Sequence, residues 1–134
     1  MKSHADKESY FRSANNKFND GEYCEAILYL VKLLREEDCQ VKALSNIGAC
    51  LFHLGHYHAA KKYLERSLTK DPFHHQARHN LANTLYALGD YVVADRAFKE
   101  CIHNDYDNEA AWQGRFECCY ALSSVSYTHL AGDS

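Results

Sequence analysis

Three short stretches decide the fold: FNDGEYCEA at residues 18–26, FHLGHYHAA at 52–60 and YALGDYVVA at 86–94. Each holds an aromatic, then Gly three residues on, Tyr two after that, and Ala after three more. Gly21, Gly55 and Gly89 are 34 residues apart, as are Tyr23, Tyr57 and Tyr91, and Ala26, Ala60 and Ala94. A frame returning at an interval of this size marks a stack of repeated supersecondary units. The windows in register are residues 7–40, 41–74 and 75–108, followed by a partial fourth at 109–122.

Each window carries two helical patterns. Leu44, Ile47, Gly48 and Leu51 fall at the i, i+3, i+4, i+7 spacing of one apolar helix face, and Leu81, Ala82 and Leu85 take matching places in the third window. The second helices repeat one stripe. It is Ala26, Ile27, Leu30, Leu33 and Leu34, then Ala60, Leu64, Ser67 and Leu68, then Ala94, Phe98, Cys101 and Ile102. The Gly of the opening frame stands just past the first helix, where positive φ is cheap only for glycine. The Tyr starts the second helix and wedges between the pair, and the Ala marks its closest approach. Pro72 stops the second window, with Asp38 and Tyr106 in its place in the others.

These residues resemble the tetratricopeptide repeat. Small side chains occupy the eighth position (Ala14, Gly48, Ala82), Gly the fifteenth, Tyr the seventeenth and Ala the twentieth. Trp112 stands at the fourth position of the last repeat, where the family pattern has Trp. Two departures are Ser13 for the usual Leu in the first repeat and Phe116 for the small eighth residue in the fourth. The expected fold is all-α: a right-handed α-solenoid of helix-turn-helix repeats, three units plus a C-terminal capping helix. Residues 1–6 read as an N-terminal extension. Residues 123–134, SSVSYTHLAGDS, read as a tail without a helical stripe.

The composition agrees. Of 134 residues, 46% are hydrophobic and 25% charged, the balance of a globular domain. With 18 acidic against 15 basic side chains there is no excess charge for a phosphate backbone, so nucleic-acid binding is not expected. No apolar run suits a membrane span, and the N-terminus MKSHADKESY lacks the apolar core of a signal peptide. A soluble, cytoplasmic protein is expected, with Cys24, Cys39, Cys50, Cys101, Cys118 and Cys119 reduced.

The resemblance implies that the first helix of each repeat lines a concave groove that takes a peptide or protein partner. By register the groove residues include Arg12, Asn15, Phe18, Lys42, Asn46, Phe52, His53, His79, Asn80, Asn83 and Tyr86. Asn15, Asn46, Asn80 and Asn83 form a row of amides, each with donor and acceptor for a peptide backbone. Phe18, Phe52, Tyr86 and Tyr120 recur at the repeat interval and offer apolar contact; the same residues also suit packing between repeats. Some members clamp the acidic C-terminus of a chaperone with basic residues and asparagines. Asn15 and Asn46 match that pattern, whereas Phe11, Gln76 and Asn80 stand where its cations belong. Without those charges a carboxylate gains no strong charge-assisted bonds.

Catalysis finds no residues to stand on: the glycines belong to the repeat, and no Ser or Cys sits in a nucleophile motif. His75 and His79 have an i, i+4 spacing able to hold zinc, with His53 on a neighbouring helix able to approach, but there is no HExxH arrangement, no CxxC pair and no carboxylate placed as third ligand. No cofactor or metal is expected, although His53 and His79 would make ligand binding pH-sensitive. REED, residues 35–38, reads as a solvated helix end. The expected function is a protein-interaction scaffold or adaptor. Two alternatives are a small chaperone for secreted substrates and a structural repeat that self-associates through its open ends.

Overall fold

The computed structural model describes the backbone of residues 2–132 and the side chains of residues 2–124. Among the described residues seven helices follow in order: α1 (His4–Asn19), α2 (Tyr23–Lys32), α3 (Gln40–His53), α4 (Tyr57–Lys70), α5 (His75–Ala87), α6 (Tyr91–Asn104) and α7 (Glu109–Gly132). One 3-10 turn, Glu37–Cys39, precedes α3. Among the described residues there is no strand. Each helix packs on its sequence neighbours, while α3 also touches α5 and α5 touches α7. This is an all-α helical repeat solenoid, with α3, α5 and α7 side by side on one surface. Its core is divided into several small clusters along the stack, as expected when each repeat meets only its neighbours.

The opening frame is the joint of each hairpin. Gly21, Gly55 and Gly89 have φ of 78°, 84° and 84°. At each, two backbone bonds close the preceding helix. Gly55 N–H donates to Phe52 O at 3.0 Å and His56 N–H to Leu51 O at 2.9 Å, and the same pair recurs at Gly21–Glu22 and Gly89–Asp90. This is a Schellman cap, in which the glycine takes the left-handed position. Tyr23, Tyr57 and Tyr91 are the first residues of α2, α4 and α6. Ala26, Ala60 and Ala94 are wholly buried at the crossings. Gly48 shows how close these crossings are: a Cβ there would lie 2.6 Å from Leu64 Cγ.

The first repeat is less regular than its pattern. The stripe extends the second helix through Leu33 and Leu34, but α2 stops at Lys32 and the chain tightens through i→i−3 bonds at Leu33, Leu34 and Glu36. The later repeats end differently. Phe73 N–H donates to Asp71 Oδ1 at 3.0 Å and Asp107 N–H to Asp105 Oδ1 at 3.2 Å. These are Asx turns, and they end α4 and α6 alike although only one has Pro72. Glu37 holds the corresponding place in the first repeat, one methylene longer.

The stretch REED is a correction to the sequence reading. Glu36 is buried rather than solvated. Its carboxylate accepts the Lys2 backbone N–H at 2.9 Å and lies 3.9 Å from Lys7 Nζ, which also meets Asp38 at 3.0 Å. Partners remote in sequence thus close this corner. The helix α1 begins at His4, capped by Ser3 Oγ accepting from Asp6 N–H at 3.2 Å, within the segment read as an extension. At the other end, α7 stays helical past residue 122 to Gly132, since residues 115–131 contain neither Gly nor Pro. The rest of the segment read as a tail, residues 133–134, lies outside the described residues.

Candidate functional site

The first helices of three repeats enclose a groove of about 380 Å³. From α1 and α2 come Ala14, Asn15, Phe18 and Leu30. From α3 come Lys42, Asn46, Ala49 and Cys50, and the α5 end adds His74, Gln76 and Asn80. Leu30 and Cys50 are buried and form an apolar floor. The Cys50 thiol is pushed up to about 11 by burial, so it stays protonated and serves as a small apolar surface. Three amides, Asn15, Asn46 and Asn80, stand around this floor. Asn80 Nδ2 is buried without a hydrogen-bond partner, while the Asn80 backbone carbonyl accepts from Thr84 Oγ1 at 2.7 Å. Leaving such a donor unpaired costs roughly 1–3 kcal/mol.

The groove carries little charge. Lys42 is the one Lys or Arg among its lining residues, and its ammonium lies 4.4 Å from the centre of the Phe11 ring. Phe11, Gln76 and Asn80 bring no cation. Neutral amides beside an apolar floor suit an extended backbone better than a carboxylate.

The eleven residues picked out by register separate into groups. Asn15, Phe18, Lys42, Asn46 and Asn80 line the groove. Phe52, His53 and Tyr86 belong instead to an aromatic ladder along the hairpin joints. His53 stacks on Tyr23 at 5.0 Å with 9° between the planes, and meets Phe18 and Phe52 edge-on at 5.2 and 5.4 Å. Phe52 also meets Tyr57 at 5.4 Å, and Tyr86 meets Tyr91 at 5.3 Å. His79 turns toward Phe98, ring to ring at 5.9 Å, and burial holds its imidazole below the ordinary histidine range. Arg12 and Asn83 do not line the groove.

The zinc geometry considered for His53, His75 and His79 does not assemble. His53 is in the ladder, His79 lies against Phe98, and His75 lines a separate small pocket with Cys101. Among the described residues no three His, Cys, Asp or Glu side chains converge as ligands. Register reasoning missed the floor. Leu30 and Cys50 sit on apolar stripes and read as plain core, and His74 precedes its helix, so no spacing signals any of them.

Comparison with known proteins agrees with this geometry. Two family models, each described as Tetratricopeptide repeat, match residues 41–74 and 76–103. No curated protein matches the chain. Among solved structures, the chain resembles the first TPR of Spaghetti (RPAP3) bound to HSP90 peptide SRMEEVD, with 16% identity over 91% of this chain and 99% of that one, at a TM-score of 0.85. It resembles the Sgt2 TPR domain from Aspergillus fumigatus, with 20% identity over 90% of this chain and 82% of that one, at 0.82. It also resembles the second TPR domain of human RPAP3 in complex with HSP70 peptide SGPTIEEVD, with 17% identity over 86% and 96%, at 0.77. At these identities the likeness is one of fold. Among the described residues no helix is long and apolar enough to cross a membrane.

Proposed function

The chain is a tetratricopeptide repeat protein, and on that premise we propose that it is a protein-interaction module whose concave groove binds an extended peptide segment of a partner. It acts as a scaffold or adaptor in the cytoplasm rather than as an enzyme. The observation that carries the reading is a groove in which the amides of Asn15, Asn46 and Asn80 stand together beside an apolar floor. Two similar solved structures hold peptides ending in EEVD. Support for a different ligand comes from this chain's own residues: the two asparagines are retained, but Phe11, Gln76 and Asn80 replace the cations that an acidic terminus needs. The segment is therefore an internal, uncharged stretch. Its backbone pairs with the amides, and one apolar side chain rests on Leu30, Cys50 and Phe18.

The test begins with selection of peptides from a random display library on the wild-type chain. Affinity of the selected peptides is then measured for wild type and for the double variant Asn46→Ala, Asn80→Ala. The expected loss is at least about tenfold, from two hydrogen bonds of roughly 1 kcal/mol each, with helicity and melting unchanged. Peptides rich in C-terminal carboxylates should not be selected. Equal binding by the double variant, or selection of acidic termini alone, contradicts the proposal.

A further inference from the structure

Charge is not spread evenly along the chain. Between Gln40 and Ala87 six Lys and Arg stand against two carboxylates, Glu65 and Asp71, a net charge of +4. Residues 1–39 carry six basic side chains against eight acidic ones, and residues 88–134 carry three against eight. The positive charge gathers on α4. His58, Lys62, Arg66 and Lys70 are spaced by four and all exposed, opposite the side on which Ala60, Leu64 and Ser67 are buried. Among the described residues none of the four is in an ion pair. Glu65 is the one carboxylate of α4, and the helices that α4 packs on, α3 and α5, contain no Asp or Glu.

Helix stability does not account for this row. Like charges four apart oppose helix formation. The helix dipole favours Lys70, the basic residue of the last turn, but its reach ends with that turn. Arg66 is held in place, with its guanidinium 5.2 Å from the centre of the Tyr63 ring. A like-charge row that no carboxylate of the chain relieves is the kind of local conflict found at functional sites.

We propose that the row binds a short acidic segment of a partner protein, separate from the segment in the groove. Neighbouring cations lie about 6 Å apart along the axis, and the row spans about 18 Å. An extended strand places every second residue about 6.7 Å apart, so roughly six residues with Asp or Glu at alternate positions cover it. The row slants around the helix by about 40° per step, which a flexible extended strand follows. The net negative charge of the segments before and after bounds the site. A nucleic-acid strand or a planar lipid surface reaching past α4 meets that charge, whereas a short segment does not. No α4 residue lines the groove, so the two contacts are independent.

Fluorescence anisotropy of a labelled hexapeptide of alternating Glu and Ser, titrated with the whole chain, tests this. Binding should saturate, and should weaken as salt rises. Lys62→Gln with Arg66→Gln should lose at least about tenfold in affinity, from two charge-assisted contacts, with helicity intact. The groove variant Asn46→Ala, Asn80→Ala should bind the peptide as wild type does, and a peptide of alternating Gln and Ser should not bind. Absence of binding at low salt overturns the proposal. So does equal affinity in the Lys62 and Arg66 variant, or loss of binding in the groove variant. Tighter binding to a short oligothymidylate, or to phosphatidylserine vesicles, overturns it too.

Discussion

Gly48 and Phe116 hold the same place in the repeat, two units apart, and their surroundings could hardly differ more. At Gly48 the neighbouring helix is so close that a methyl group would press on Leu64. At Phe116 the side chain is mostly exposed. The comparison teaches that the repeat pattern specifies a slot on the helix surface, and that the residue in the slot reports whether a helix is meant to fill it. Small residues mark the filled slots in α1, α3 and α5. The aromatic in α7 stands where no described helix fills the slot.

Substitution can break that contrast. Gly48→Val should destabilise the fold by about 3 kcal/mol, because a crossing of this tightness has no room for a branched side chain. Leu64→Ala should lose a similar ~3 kcal/mol from the other side of the contact, by opening a cavity. Phe116→Ala should stay within about 0.5 kcal/mol of wild type. Urea unfolding of the three variants checks the set. Equal losses at the two ends would mean that the α7 face is covered within the monomer.

A smaller effect separates shape from space at the hairpin joints. Gly55 has a positive φ, and a Cβ there would meet nothing within 4 Å. Gly55→Ala should therefore be destabilising by about 1 kcal/mol through backbone strain alone. Thermal melting beside Gly48→Val tests this. Gly21→Ala and Gly89→Ala should match it, since all three joints carry the same cap.

The smallest effect sharpens the difference between the two histidines read as groove residues. Burial holds the folded pKa of His79 below its ordinary 6.5. The unfolded chain therefore takes up the proton first, and stability falls as the pH drops through about 6.5 toward the folded value. His79→Gln should flatten this slope of melting temperature against pH. The wild-type slope surviving in His79→Gln would show that another group titrates.

Much of this was legible from spacing. The Gly, Tyr and Ala of the frame announce the cap, the helix start and the crossing, because each depends on backbone geometry or close contact local to one hairpin. The small eighth residue is legible for the same reason. Features joined across windows were not. Glu36 is buried because Lys2 and Lys7 come to it from the far end of the first hairpin, and a charge run shows nothing of such partners. Asp71 and Asp105 end their helices by turns that their register neighbour Glu37 does not repeat, so the stop looked like the work of Pro72. In the groove, register named Asn15, Asn46 and Asn80. It did not tell which aromatic rings face a ligand and which face each other, since Phe18 touches both the ladder and the groove. Leu30 and Cys50 reach the groove floor through the stacking of whole repeats, which spacing within one window does not show.

The central claim is that the amide groove, and not another surface, receives the partner segment. Side-chain amide NMR of Asn15, Asn46 and Asn80 during titration with a selected peptide tests it most directly. The account predicts that these three signals shift together and saturate at one peptide per chain, with the Trp112 indole signal still. Shifts confined to Trp112 or to the convex helices, with the asparagine amides unmoved, would contradict it.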